Sequence, residues 1–212
     1  KLAFQITAPN AVINIGSRTM FQGKVYARKI AVASDAVIQG MYHEDIDQWS
    51  HSAYIFLNTG ATGAGVSETV YDFPILVRLN SSNFTFSEAM SNGEDIRFTK
   101  ADGTTALNYE IERWDAINRV ADIWVKVDTV RGNDSAQYFI MHWGKSGAMS
   151  LSNSAGVFST TDHFQGVWHL NQEPISSIID ATGNGNNGTS QGGMTASNSI
   201  GAVIGKGLLF DG

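Results

Sequence analysis

Glu110 and Glu112 have the spacing that most invites a chemical reading, with Asp115 close behind. Two positions apart on a strand, their carboxylates share one face. A retaining glycosidase needs its acid and nucleophile about 5–5.5 Å apart, whereas same-face strand neighbours stand about 6.5–7 Å apart by the strand rise. Arg97 and Arg113 offer ordinary ion-pair partners, so the pair is expected to be structural and no catalytic residue is assigned. A second group is Asp180, Asn184 and Asp211, hard oxygen donors of the kind calcium takes. Calcium is the one cofactor these types suggest. The stretch from Asp180 to Gly188 does not match an EF-hand loop, and its Asn-Gly pairs equally serve tight turns.

Five tryptophans, at 49, 114, 124, 143 and 168, supply flat apolar faces with a polar edge, as sugar-binding and interface sites require. Trp124, Trp114 and Trp143 are the candidate ligand-binding residues, Trp124 foremost. His43 and His51 lie near Glu44, Asp45 and Asp47 without metal-ligand spacing, which reads as a solvated linker. No Gly-x-Ser-x-Gly elbow accompanies the histidines, which argues against a nucleophilic triad. His163 and His169 flank Trp168 and are expected to line a domain junction.

The elements that must position these residues are strands. Twenty-two Gly and 16% charged residues do not suit a helical bundle, and Thr, Val, Ile and aromatics are frequent. Short apolar clusters between 12 and 38, separated by turn residues, predict a β-solenoid-like segment or small sheet over 1–45. Strand signals then recur at Ser52 to Leu57, Val70 to Leu79, Asp95 to Thr99, Leu107 to Trp114, Ala121 to Val127 and Gln137 to Trp143. That spacing predicts a two-sheet β-sandwich over 46–158. Asp102-Gly103 is the best hairpin signal. Along Ile123 to Asp128 the alternation puts Ile123, Val125 and Val127 in the core and Trp124, Lys126 and Asp128 on a half-wet face. Further strands are expected at Gly166 to Leu170 and Gly207 to Phe210, within a third segment over 159–212.

Composition narrows the function classes. The net charge of −6, with no basic stretch, argues against nucleic acid. Nowhere do 18 apolar residues run together, so no transmembrane segment is expected. Without cysteine there are no disulfides, thiolate metal sites or thiol nucleophiles. The start at Lys-Leu-Ala and the stop at Phe210-Asp211-Gly212 read as a segment of something longer.

Five motifs stand in order: Asp72-Phe73-Pro74-Ile75-Leu76-Val77-Arg78-Leu79, Gly93-Glu94-Asp95-Ile96-Arg97-Phe98-Thr99, Ala101-Asp102-Gly103-Thr104, Tyr109-Glu110-Ile111-Glu112-Arg113-Trp114-Asp115 and Ile123-Trp124-Val125-Lys126-Val127. Together they resemble an uncharacterised domain of unknown function of bacterial and archaeal β-rich modules, over about 49–158. That resemblance implies a place in a large exported or cell-surface protein; some such modules precede the channel part of TolQ/ExbB-like membrane proteins. Gly166-Val167-Trp168-His169-Leu170, the Asp180 to Gly188 run and Gly205 to Gly212 are similar to the opening of a laminin-G or concanavalin A-like jelly roll. Residues 10–38 resemble, more weakly, solenoid-like segments of surface proteins and bactofilins.

The expected chain is therefore mostly β: a solenoid-like lead-in, a sandwich and the first strands of a jelly roll. Its expected function is a non-catalytic spacer or adhesive, carbohydrate-binding module, extracellular or on a cell surface, the periplasm being the other compartment. Polysaccharide, a surface protein or neighbouring domains of the same chain are the expected partners. The rival readings are a carbohydrate-active enzyme fragment, from Glu110 and Glu112, and an assembly element that adds strands to a neighbouring chain's sheet.

Overall fold

The structure is a computed structural model that describes residues 4–15, 17, 20–33, 37–39 and 46–210. The chain divides into two compact units, Lys1–Asp45 and Ile46–Gly212.

In the first unit, β1 (Phe4–Ile15), β2 (Met20–Val32) and β3 (Val37–Gln39) lie side by side in parallel. A straight strand of this length would span about 40 Å, too far for the few residues after Ile15 to bring the chain back beside Phe4. The ladder is therefore that of a bent coil, and its register shifts between Ala8 and Val12. Phe4 stands opposite Gly23, Val12 opposite Lys29 and Met20 opposite Val37. The offset changes from 19 residues at the first pair to 17 at the other two, which is why the apolar clusters showed no single period.

In the second unit, β4 (His51–Leu57), β5 (Val70–Asn80), β6 (Arg97–Thr99), β7 (Tyr109–Asp115), β8 (Val120–Val130) and β9 (Gln137–Trp143) answer the six expected strands. They form two antiparallel sheets, ordered β4-β9-β6 and β5-β8-β7. Both sheets feed one core: Val77, Leu79, Tyr109, Ile123 and Val125 from one, Phe98, Phe139 and Met141 from the other, with Ala53, Ile55 and Leu57 packed against them. Ile123 and Val125 are fully buried, and each such side chain stabilises the fold by about 1.5–3 kcal/mol. The fold is mostly β, and this sandwich holds the core of the second unit.

The Asp102-Gly103 turn forms, with Gly103 at φ +72° and Asp102 accepting the N–H groups of Thr104 and Thr105. Its arms do not remain a hairpin, which corrects that expectation. After Leu107 N–H bonds Phe98 O, the chain crosses over, so that β6 pairs with β9 and β7 with β8.

One irregularity decides where the outer-face residues point. Ile111 opposes Ile123 and Arg113 opposes Asp122, leaving Glu112 as the extra residue of a bulge in β7. Tyr109, Ile111 and Trp114 all pack on the core, which a regular period of two forbids for 109, 111 and 114. Because the bulge takes Glu112 out of the ladder, Trp114 stays on the core face.

After α1 (Ser154–Val157) the chain is largely irregular until a hairpin of β10 (Ser199–Gly201) and β11 (Lys206–Leu208). The strand expected at Gly166 to Leu170 is absent: Leu170 has φ +56°, outside the extended region. The expected strand at Gly207 to Phe210 is β11, which begins at Lys206 and ends at Leu208. Among the described residues no helix is long and apolar enough to cross a membrane.

Candidate functional site

The outer face of the β5-β8-β7 sheet collects the chemistry. β8 alternates as expected, turning Trp124 and Lys126 away from the core. Trp124 stands directly opposite Glu110 across the ladder, and the bulge adds Glu112 beside them. His169, from the irregular segment after α1, closes the group. Its Nε2 lies 3.0 Å from Glu110 Oε2 and its Nδ1 3.3 Å from Glu112 Oε2. Trp124 Nε1–H donates to that same Glu112 oxygen at 2.6 Å. The imidazole is stacked on the indole, ring centroids 6.4 Å apart and planes 19° from parallel. Phe158 packs edge-on against Trp124.

Glu110 and Glu112 therefore pair with His169, not with the arginines proposed from sequence proximity. Arg97 donates to Glu94 O, Ile96 O, Met149 O and the Tyr109 hydroxyl, while Arg113 faces Asp115 at 3.5 Å. His169 was legible only as a junction residue; its partners lie about sixty positions away. The signal that could have exposed Glu112 is the apolar spacing at 109, 111 and 114, which demands a bulge between them.

Electrostatics couples the three groups. Nε2 hydrogen-bonds the Glu110 carboxylate, whereas Nδ1 stands at ion-pair distance from Glu112, which acts on the ring through its charge. Burial works against the charged His169 ring, but the hydrogen bond to Glu110 and the charges of Glu110 and Glu112 raise its pKa above the ordinary value. Burial raises Glu112 too, with the Trp124 bond and His169 offsetting it only in part. The Glu112 side chain is 2% exposed. His169 and Glu112 thus hold their protons more tightly than they would in water.

Beside the cluster lies a cavity of about 410 Å³ lined by Glu112, Trp124, Trp168, His169, Val203 and Lys206. Trp168, 44% exposed, packs over Gly166, where a Cβ would come within 2.3 Å of the ring, and its Nε1–H donates to Asn186 O. Arg78 of β5 donates to Val203 O at 2.6 Å, holding the β10–β11 turn to the sheet. Lys126 pairs with Asp162 and, at 3.6 Å, with Asp72.

The other sequence candidates lie elsewhere. Trp143 is a core residue, stacked on His51 and donating from Nε1 to Glu88. Trp114 packs on Phe84 and Phe86. These two share an aromatic cluster about Phe84, and neither joins Trp124. Asp180 organises its own loop: Oδ1 accepts the N–H groups of Val167 and Thr182, Oδ2 that of Asn186, and the Thr182 hydroxyl bonds both. Burial pushes the Asp180 carboxyl up, but these donors outweigh it and bring it down to about 2. The Asn184 amide nitrogen donates to Phe164 O and Gln165 O. Asp211 and His43 lie outside the described residues. Among the described residues no three His, Asp or Glu side chains converge as a metal ion would require.

No curated protein and no solved structure matches the chain. Residues 92–171 match the family model described as Domain of unknown function (DUF2341), a span that runs past the expected limit at 158 and includes Glu110, Glu112, Trp124 and His169.

Proposed function

We propose that this chain is a non-catalytic module of a large secreted or cell-surface protein, a spacer that also holds a saccharide in the cavity beside Trp124 and Trp168. One observation carries the non-catalytic part: the His169 ring stands between the two carboxylates, in the space that a glycosidase leaves for a sugar carbon or a water. With Trp124 also bonded to Glu112, the cluster joins the segment after α1 to the sheet. The binding part is supported by a cavity within the usual size of ligand sites, walled by an exposed indole and edged by polar groups. Calorimetric titration with soluble polysaccharide fragments tests it. Binding should weaken about tenfold or more in Trp168→Ala; no binding across plant and microbial glycans leaves the spacer role alone.

The enzyme reading keeps one argument of its own, the raised pKa of Glu112 beside a cavity, as a general acid requires. Hydrolysis by the wild-type chain that Glu112→Gln abolishes would replace the proposal above.

A further inference from the structure

The two sheets have four edge strands, and three of them are closed to pairing. β5 carries Pro74, the charge of Arg78 and a left-handed Asp72 at φ +51°. β6 is covered by its own turn, with Leu107 N–H bonded to Phe98 O and Thr99 bridged to Ala106. β7 is bulged, and Asn153 N–H and the Ser152 hydroxyl bond Tyr109 O and Ile111 N–H. Charge, proline, bulges and covering segments are the devices by which sheets block unwanted strand addition.

β4 has none of them. His51-Ser52-Ala53-Tyr54-Ile55-Phe56-Leu57 contains no Asp, Glu, Lys, Arg or Pro, pairs in unbroken register with β9, and has no backbone partner on its other side among the described residues of the second unit. Its inner residues Ala53, Ile55 and Leu57 pack on the core. Outward, Tyr54 and Phe56 are 62% and 63% exposed and form an aromatic group with Tyr138, the two tyrosine rings meeting edge to face at 5.0 Å.

We propose that this edge pairs with β4 of a second copy of the same chain. An antiparallel pairing centred on Tyr54 sets Tyr54 against its counterpart, Ser52 against Phe56 and Ala53 against Ile55. The two three-stranded sheets become one of six, each sheet's aromatic group meets the other's, and no like charges oppose each other because β4 has none. The twofold axis closes the assembly at a dimer.

The absence of cysteine makes the register directly measurable. Directly opposed residues of antiparallel strands have Cα atoms about 4.5–5.5 Å apart, within disulfide reach. Residue 52 of one copy lies four positions from residue 52 of the other, about 14 Å by the strand rise and beyond that reach. In the full chain, light scattering should give twice the mass of one chain at high concentration, falling to one on dilution. Tyr54→Cys should give a covalent dimer under mild oxidation and Ser52→Cys should not. Tyr54→Lys, at an exposed position, should keep the circular dichroism spectrum and raise the concentration for dimerisation about tenfold through opposed charges. A monomer at every concentration, growth beyond two chains, or equal cross-linking at 52 and 54 would overturn the pairing.

Discussion

At the residue scale, the Glu110–His169–Glu112 cluster sets a pH dependence whose sign follows from its protons. His169 and Glu112 both have raised pKa values in the folded chain, so the folded state binds more protons than the unfolded one and loses stability as pH rises. For Glu112 that loss begins above its ordinary 4.5, and for His169 above 6.5, each ending as pH passes the raised folded value. The Tm of the wild type should fall on going from pH 6.5 upward, and His169→Gln should flatten that slope. His169→Ala should cost about 2–3 kcal/mol by leaving the Glu112 carboxylate buried without its cation, measured by urea unfolding at pH 6. Adding Glu112→Gln should restore part of it. Asp180 has the opposite sign: its pKa is lowered from 3.8 to about 2. The stability it contributes is present above pH 3.8 and disappears as pH falls through about 2. Asp180→Ala should open the 180–188 loop to protease at neutral pH, seen as cleavage that the wild type resists.

At the element scale, the β7 bulge supplies a site residue that the core does not need. Deleting Glu112 would leave Ile111 and Arg113 adjacent, opposite Ile123 and Asp122, with Trp114 still facing inward opposite Ala121. The deletion variant should therefore fold, keep its near-ultraviolet aromatic signal and lose only the part of the pH slope that comes from Glu112, while Glu110 still raises the His169 pKa. Deleting Ile111 or Arg113 should also shorten the strand by one residue without losing register beyond it, but it should drop Ile111's contact or move Glu112 into the ladder. A fall in Tm larger than that of the Glu112 deletion would register either change. The segment after α1 depends on this face more than on strands of its own: Arg78 holds Val203, Glu110 and Glu112 hold His169, and Lys126 holds Asp162.

At the scale of the whole molecule, the separate sheets of the two units predict that 46–212 expressed alone keeps its β spectrum and melts in one cooperative step. Loss of that transition on removal of 1–45 would show that the second unit needs the first. Sequence by itself determined the strand class, the six sandwich strands to within a few residues and the parity of β8, because alternation and turn residues are local and act within a few positions. It also placed Glu110 and Glu112 on one face. Only the tertiary structure decided what they meet. His169 reaches them through a left-handed Leu170 and an irregular chain, Trp114 and Trp143 are drawn inward to Phe84 while Trp124 is left out, and the arms of the Asp102-Gly103 turn part between two sheets. Partner choice across sixty residues depends on how two sheets stack and where one extra residue enters a strand, and neither is encoded in local periodicity.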